Sequence, residues 1–172
     1  MRNIWSEFWN KHPFSKDMVW GLTEFVVIFV IAKFTVTGIH EWLHLWATQV
    51  LGGNGYIINT IFGAGVVWTI RPEYPQLVAF AGGVGVAILF GIRIIMDLHD
   101  DITEAAALMP LFCSQLAYGI IEGFYILNVS SKVFEGYAQK ALTVGGVIGI
   151  LTTMVMLLYW LVRLSNKHSI KR

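Results

Sequence analysis

The sequence predicts an all-α integral membrane protein with about four transmembrane helices and a glycine-rich, strand-like or re-entrant segment after the first. Two observations lead there. Apolar residues make up 56% of the 172 positions and charged residues only 13%, about half the charged share of a soluble domain. Four long apolar runs recur along the chain, each near or above the roughly 20 helical residues that a bilayer core takes. A water-soluble protein of this size could not hide so much apolar surface. The length fits one domain. The net charge of +1 gives no support for a nucleic-acid partner. Cys113 is the single cysteine, so no internal disulfide forms and the redox compartment stays open.

Residues 1–16, MRNIWSEFWNKHPFSK, set Ile4, Trp5, Phe8 and Trp9 on one helical face with charges between them. This suits either a short interfacial helix with its indoles at headgroup depth or an ordered cytoplasmic lead-in. The first 17 residues are polar and aromatic, unlike a cleavable signal peptide, so insertion is expected to rely on the helices themselves.

The first span, 18–51, is too long to cross upright, so it either tilts and continues past the core or breaks near Gly38. It holds Glu24, Lys33, His40, Glu41 and His44, and ionisable groups at such depth need partners. In 52–75, glycines 52, 53, 55, 63 and 65 punctuate the β-branched runs YIINTIF and VVWTI, and Pro72 and Pro75 close the segment. That pattern reads as a β-hairpin or re-entrant loop.

The second span, 76–96, carries Ala79, Gly83, Ala87 and Gly91 at four-residue spacing, a seam for close helix contact. An acidic turn, DLHDDITE, follows with Asp97, His99, Asp100, Asp101 and Glu104; it is either a solvated loop or a second metal cluster. The third span runs over 105–128 and the fourth over 138–163, the latter with a shorter seam at Gly145 and Gly149. These seams also suit an oligomer or larger membrane complex. Basic residues flank both ends: Arg2, Lys11 and Lys16 on one side, Arg163, Lys167, Lys171 and Arg172 on the other. With an even number of spans, both termini are expected to be cytoplasmic.

The chemistry concentrates in HEWLH, residues 40–44. Residues four apart share a helix face, so His40 and His44 can address one metal ion. Neutral imidazoles suit zinc, and a site with an open position can hold a water. Glu41 stands beside the first ligand, where its carboxylate can take a proton from that water. The competing reading has the histidines bonding other helices and Glu41 pairing with Lys33 or Arg71. Desolvating three ionisable groups favours a cation as the simpler compensation.

Catalytic zinc takes a third protein ligand. The third span offers a polar stripe of Gln115, Tyr118, Glu122 and Tyr125. If the first and third helices run the same way, Glu122 lies at the same depth as the two histidines, which makes it the expected third ligand. Asp100, Asp101, His99 and Glu135 are the alternatives.

The chain resembles the site-2 protease family of intramembrane zinc metalloproteases over roughly residues 30–125. The resemblance is carried by GIHEWLH (38–44), the glycine-bearing strand-like segment, and QLVAFAGGVGVAILFG (76–91). It implies zinc on His40 and His44, water activation by Glu41, and a substrate held as an added β-strand along 56–70. Gly83 stands where the family has proline, and the family's Leu-Asp-Gly triplet is missing. IIEG (120–123) and VFEG (133–136) come nearest to it.

Two functions follow. The first is a membrane-embedded zinc peptidase acting on a membrane-associated polypeptide, with Asn54, Tyr118 or Gln115 as oxyanion donor. The second is a non-catalytic subunit of a larger membrane assembly, with a structural metal or none. A transporter is a lesser alternative, because buried charges also mark ion paths.

Overall fold

The computed structural model describes residues 12–60 and 63–169. Helix α1 runs over Pro13–Val50, strands β1 and β2 over Asn54–Thr60 and Gly63–Ile70, and helices α2, α3 and α4 over Pro75–Asp100, Ile102–Tyr125 and Ser131–Ser169. All four helices are long and apolar enough to cross a membrane. Residues 1–11 of the expected interfacial lead-in lie outside the described residues. Its last part belongs to α1, which starts on Pro13, because proline's fixed φ and missing N–H suit a first helical position.

Helix α1 is continuous through Gly38, so the expected alternative of a break there is not what forms. It ends where the sequence turns to glycine. Gly52 adopts φ 75°, its N–H donates to the Gln49 carbonyl at 3.2 Å, and the Gly53 N–H donates to the Thr48 carbonyl at 2.9 Å. This paired arrangement satisfies two carbonyls that the helix end leaves open, and it calls for a residue without Cβ.

The glycine-rich segment that follows is an antiparallel hairpin, with Tyr56 opposite Val67 and Ile58 opposite Gly65. The indole N–H of Trp68 on β2 donates to Thr48 Oγ1 at 3.1 Å. The Thr48 hydroxyl in turn donates to the His44 carbonyl at 2.8 Å. The hairpin is thereby pinned one turn beyond the second histidine.

The acidic stretch is not the loop that the sequence suggested. Asp97 to Asp100 form the last turn of α2, and Asp101 alone links it to α3, where its carboxylate caps the helix by accepting the Glu104 N–H at 3.2 Å. Short polar side chains favour that position because they occupy an orphan donor. Arg93 Nη2 lies 2.8 Å from Glu104 and its Nε lies 2.8 Å from Asp97, which ties the two helices together.

Helix α3 is central and packs against the other three. A Cβ on Gly83 would collide with the Gly119 backbone, and one on Gly149 would come 2.5 Å from Pro110 Cα. The small-residue seams therefore set the α2–α3 and α3–α4 contacts. Pro110 sits inside α3 and removes the N–H that would serve the Ala106 carbonyl. Thr153 of α4 replaces it, donating to that carbonyl at 2.9 Å. In an apolar layer nothing else is on hand to satisfy it. Thr153→Val is expected to cost about 1–3 kcal/mol of stability by stranding a buried acceptor, measured as a lowered Tm in detergent with the helical content unchanged.

Candidate metal centre

Helices α1 and α3 run in the same direction. Thr103 Oγ1 reaches Glu24 at one end of the pair, and His40 and His44 meet Glu122 at the other. The four-residue spacing puts both imidazoles on the inner face of α1, and all three ligand candidates are buried. His40 Nε2 and His44 Nε2 are 3.0 Å apart. Each lies 3.3 Å from a different oxygen of the Glu122 carboxylate. Glu122 Oε2 faces His40 without hydrogen-bond alignment and has no hydrogen-bond partner.

The outer ring nitrogens fix the tautomer of each neutral ring. His44 Nδ1 is 2.6 Å from the Val78 carbonyl. A carbonyl only accepts, so Nδ1 holds the proton and Nε2 of the neutral ring presents a lone pair. His40 Nδ1 pairs with Gln115 Oε1 at 3.1 Å in the same sense. Three Lewis bases then converge on one point in a water-poor interior, an arrangement that asks for a cation or for shared protons. The spacing suits a cation: metal–ligand bonds of about 2.0–2.1 Å at tetrahedral angles hold donors roughly 3.3 Å apart. Outer N–H groups held by a carbonyl or amide are also the usual way metal-binding imidazoles are oriented.

Gly82 makes this geometry possible. Val78 and Gly82 lie one above the other on α2, and a Cβ at Gly82 would overlap the His44 ring and stand 2.6 Å from His40 Nε2. Only a bare backbone lets the His44 ring reach the Val78 carbonyl. Gly82→Ala is expected to lower metal affinity by about 10–100-fold, the usual effect of disturbing a ligand's orientation. Metal titration of the purified variant checks it, with a near-parental Tm showing that the fold survives.

The remaining stripe residues divide. Tyr118 packs its ring 5.5 Å from that of His40, whereas Tyr125 turns to Tyr137 of α4 at 5.1 Å. A cavity of about 400 Å³ opens beside the cluster, bordered by Glu41, His44, Tyr118 and Glu122 and walled by Ala64, Gly65, Val66 and Trp68 of β2. A second, of about 170 Å³, lies on the far side against Thr37, Gln115 and Leu142, and Glu41 and Tyr118 border it as well. Of the three candidate oxyanion donors, Gln115 is engaged with His40 and Asn54 caps the neighbouring Gly55 N–H at 2.8 Å. Tyr118 is the one that faces the larger cavity.

Among the other proposed ligands, Glu135 is exposed on α4. His99, Asp100 and Asp101 lie at the α2–α3 junction, the opposite end of the bundle. Among the described residues, His40, His44 and Glu122 form the cluster that could hold a metal ion. Gly82 and the Val78 carbonyl escaped the sequence reading. The Gly82–Gly83 doublet was the available signal for the first, and a backbone carbonyl has none.

Fold and site together define a multi-pass helical membrane protein with a buried two-histidine, one-glutamate cluster suited to a metal. No family model, curated protein or solved structure matches the chain.

Proposed function

We propose that this protein is a membrane-embedded zinc metallopeptidase, of the site-2 protease kind, that hydrolyses a peptide bond of a membrane-associated polypeptide. The observation that carries the reading is the convergence of His40, His44 and Glu122 with Glu41 on the border of the same cavity. An imidazole and carboxylate donor set of three is the composition of open zinc sites, and a structural site would ask for a fourth protein ligand. That difference favours a peptidase over an accessory subunit. Zinc, when bound, supplies Lewis acidity and lowers the pKa of water to about 7.

The chain's own residues do the rest. Glu41 accepts a proton at its carboxylate from the attacking water and returns it to the amine nitrogen as the C–N bond breaks. Tyr118 offers its hydroxyl to the carbonyl oxygen as charge develops there. Strand β2 forms a wall of the cavity and offers extended backbone to an unwound polypeptide. The basic flanks orient both termini towards the cytoplasm, which puts the centre near the opposite face.

The test is reconstitution of the zinc-loaded protein in liposomes with a library of single-span polypeptides, read by mass spectrometry of the products. Cleavage that a zinc chelator stops and added zinc restores is the expected result. Intact polypeptides throughout, with metal content verified, would exclude the peptidase.

A further inference from the structure

At the end of the bundle remote from the metal centre lies a cavity of about 570 Å³ between α1 and α4, floored by the α2–α3 junction. We propose that it binds the headgroup of an amine-bearing zwitterionic phospholipid of the phosphoethanolamine class. The site does not depend on the peptidase reading.

Its depth is the first argument. The apolar run of α1 begins at Met18 and that of α4 ends at Val162, so the cavity sits where the bundle leaves the hydrocarbon. Two indoles stand there. Trp20 is 65% exposed, and Trp160 lies across the Gly21 backbone. Tryptophan concentrates at headgroup level, and its ring face attracts an ammonium.

The charge pattern is the second. Asp100 and Asp101 line the floor, Asp17 and Glu24 the α1 wall, and Arg163 and Lys167 the α4 wall. Both signs therefore line one space, with carboxylates in excess among the described residues. Lys167 is held loosely, with Nζ 3.9 Å from Asp17, and among the described residues Arg163 donates to the His99 carbonyl at 3.3 Å. Both cations remain available to a phosphate.

The third is a shortage of donors. The hydroxyl of Thr103 lies 2.7 Å from Asp101 Oδ1 and 3.1 Å from Glu24 Oε2. It has one proton for the two carboxylates, and because Asp101 also accepts the Glu104 N–H, the shortage among the described residues falls on Glu24. A primary ammonium brings three N–H donors to that corner. A headgroup with an ammonium and a phosphate matches both walls, whereas a purely anionic headgroup meets the carboxylate excess.

The test is native mass spectrometry of the full chain in non-ionic detergent. It uses dioleoyl phosphatidylethanolamine and dioleoyl phosphatidylglycerol at equal concentration. Retention of the ethanolamine lipid about tenfold above the glycerol lipid is expected, a difference of the size that one or two charge-assisted contacts provide. Glu24→Gln combined with Asp100→Asn should remove that preference while Tm stays near the parental value. Equal retention of the two lipids by the parental protein marks ordinary boundary lipid and overturns the proposal without recourse to a variant. A preference that survives the double substitution overturns it as well. Displacement of the lipid by soluble phosphoethanolamine at equal concentration would assign the cavity to a soluble ligand, and displacement by calcium would assign it to a cation.

Discussion

Glu122→Ala protein is expected to purify without stoichiometric zinc while its four helices stay assembled. Glu122 comes from α3 and is the one anionic member of the cluster. Without it, two imidazole nitrogens 3.0 Å apart are left with no carboxylate in the ligand triangle, Glu41 standing outside it on the border of the cavity. Affinity should fall by more than the roughly 10–100-fold that follows from losing an outer orienting partner. The fold should persist, because the two rings can share a proton as Nε2–H···Nε2, and because the α2–α3 contact rests on Gly83 and Gly119 rather than on the carboxylate. Elemental analysis and zinc titration, run beside a thermal melt, make the comparison. Glu122→Gln, which keeps the shape and removes the charge, should sit between the two. Full zinc occupancy in Glu122→Ala would remove Glu122 from the ligand set.

Glu41→Gln should do the opposite: zinc stays and turnover goes. Glu41 is outside the ligand triangle yet borders both cavities that flank it. The amide preserves volume and hydrogen bonding but cannot accept the proton. The expected loss in kcat is about 10²–10⁴-fold, the usual contribution of a positioned acid–base group. KM should change little, since on the peptidase reading the substrate's extended segment is bound along β2 rather than by Glu41. The measurement is the liposome cleavage assay on parental and variant protein at matched zinc content. Equal rates would remove Glu41 from proton transfer and leave the metal assignment standing.

The parts of the site that were legible in the sequence are those that rest on side-chain identity and period. His40 and His44 are read directly from helical spacing, and Glu122 from depth along a parallel helix. The seams at Gly83 and at Gly145 and Gly149 were visible for the same reason, since small residues recur at one face. What could not be read depends on backbone groups or on the lack of a side chain. The Val78 carbonyl that fixes the His44 tautomer leaves no mark in a sequence. Gly82 lies outside the four-residue seam read from the sequence, and the space at its α-carbon is taken by the imidazoles.

The acidic stretch misled because charge density suggests solvent and a loop. There, Asp101 capping and the Arg93 contacts to Asp97 and Glu104 let two helices meet with one residue between them. Helix ends also shifted. Helix α4 begins at Ser131, ahead of the span read from 138, because Lys132 and Glu135 in its first turns lower the hydropathy there.

Helix α1 acts as a ruler. At 1.5 Å per residue, His40 and His44 stand roughly 33–39 Å from Met18 along the axis, against a hydrocarbon slab about 30 Å thick. On the peptidase reading, the scissile bond is met at the rim of the slab, where a substrate helix frays into the headgroups and needs little help to unwind. Removing four residues from α1 between Met18 and Phe34 would slide His40 and His44 about 6 Å along the axis relative to Glu122 of α3 and break up the cluster, read as lost zinc binding.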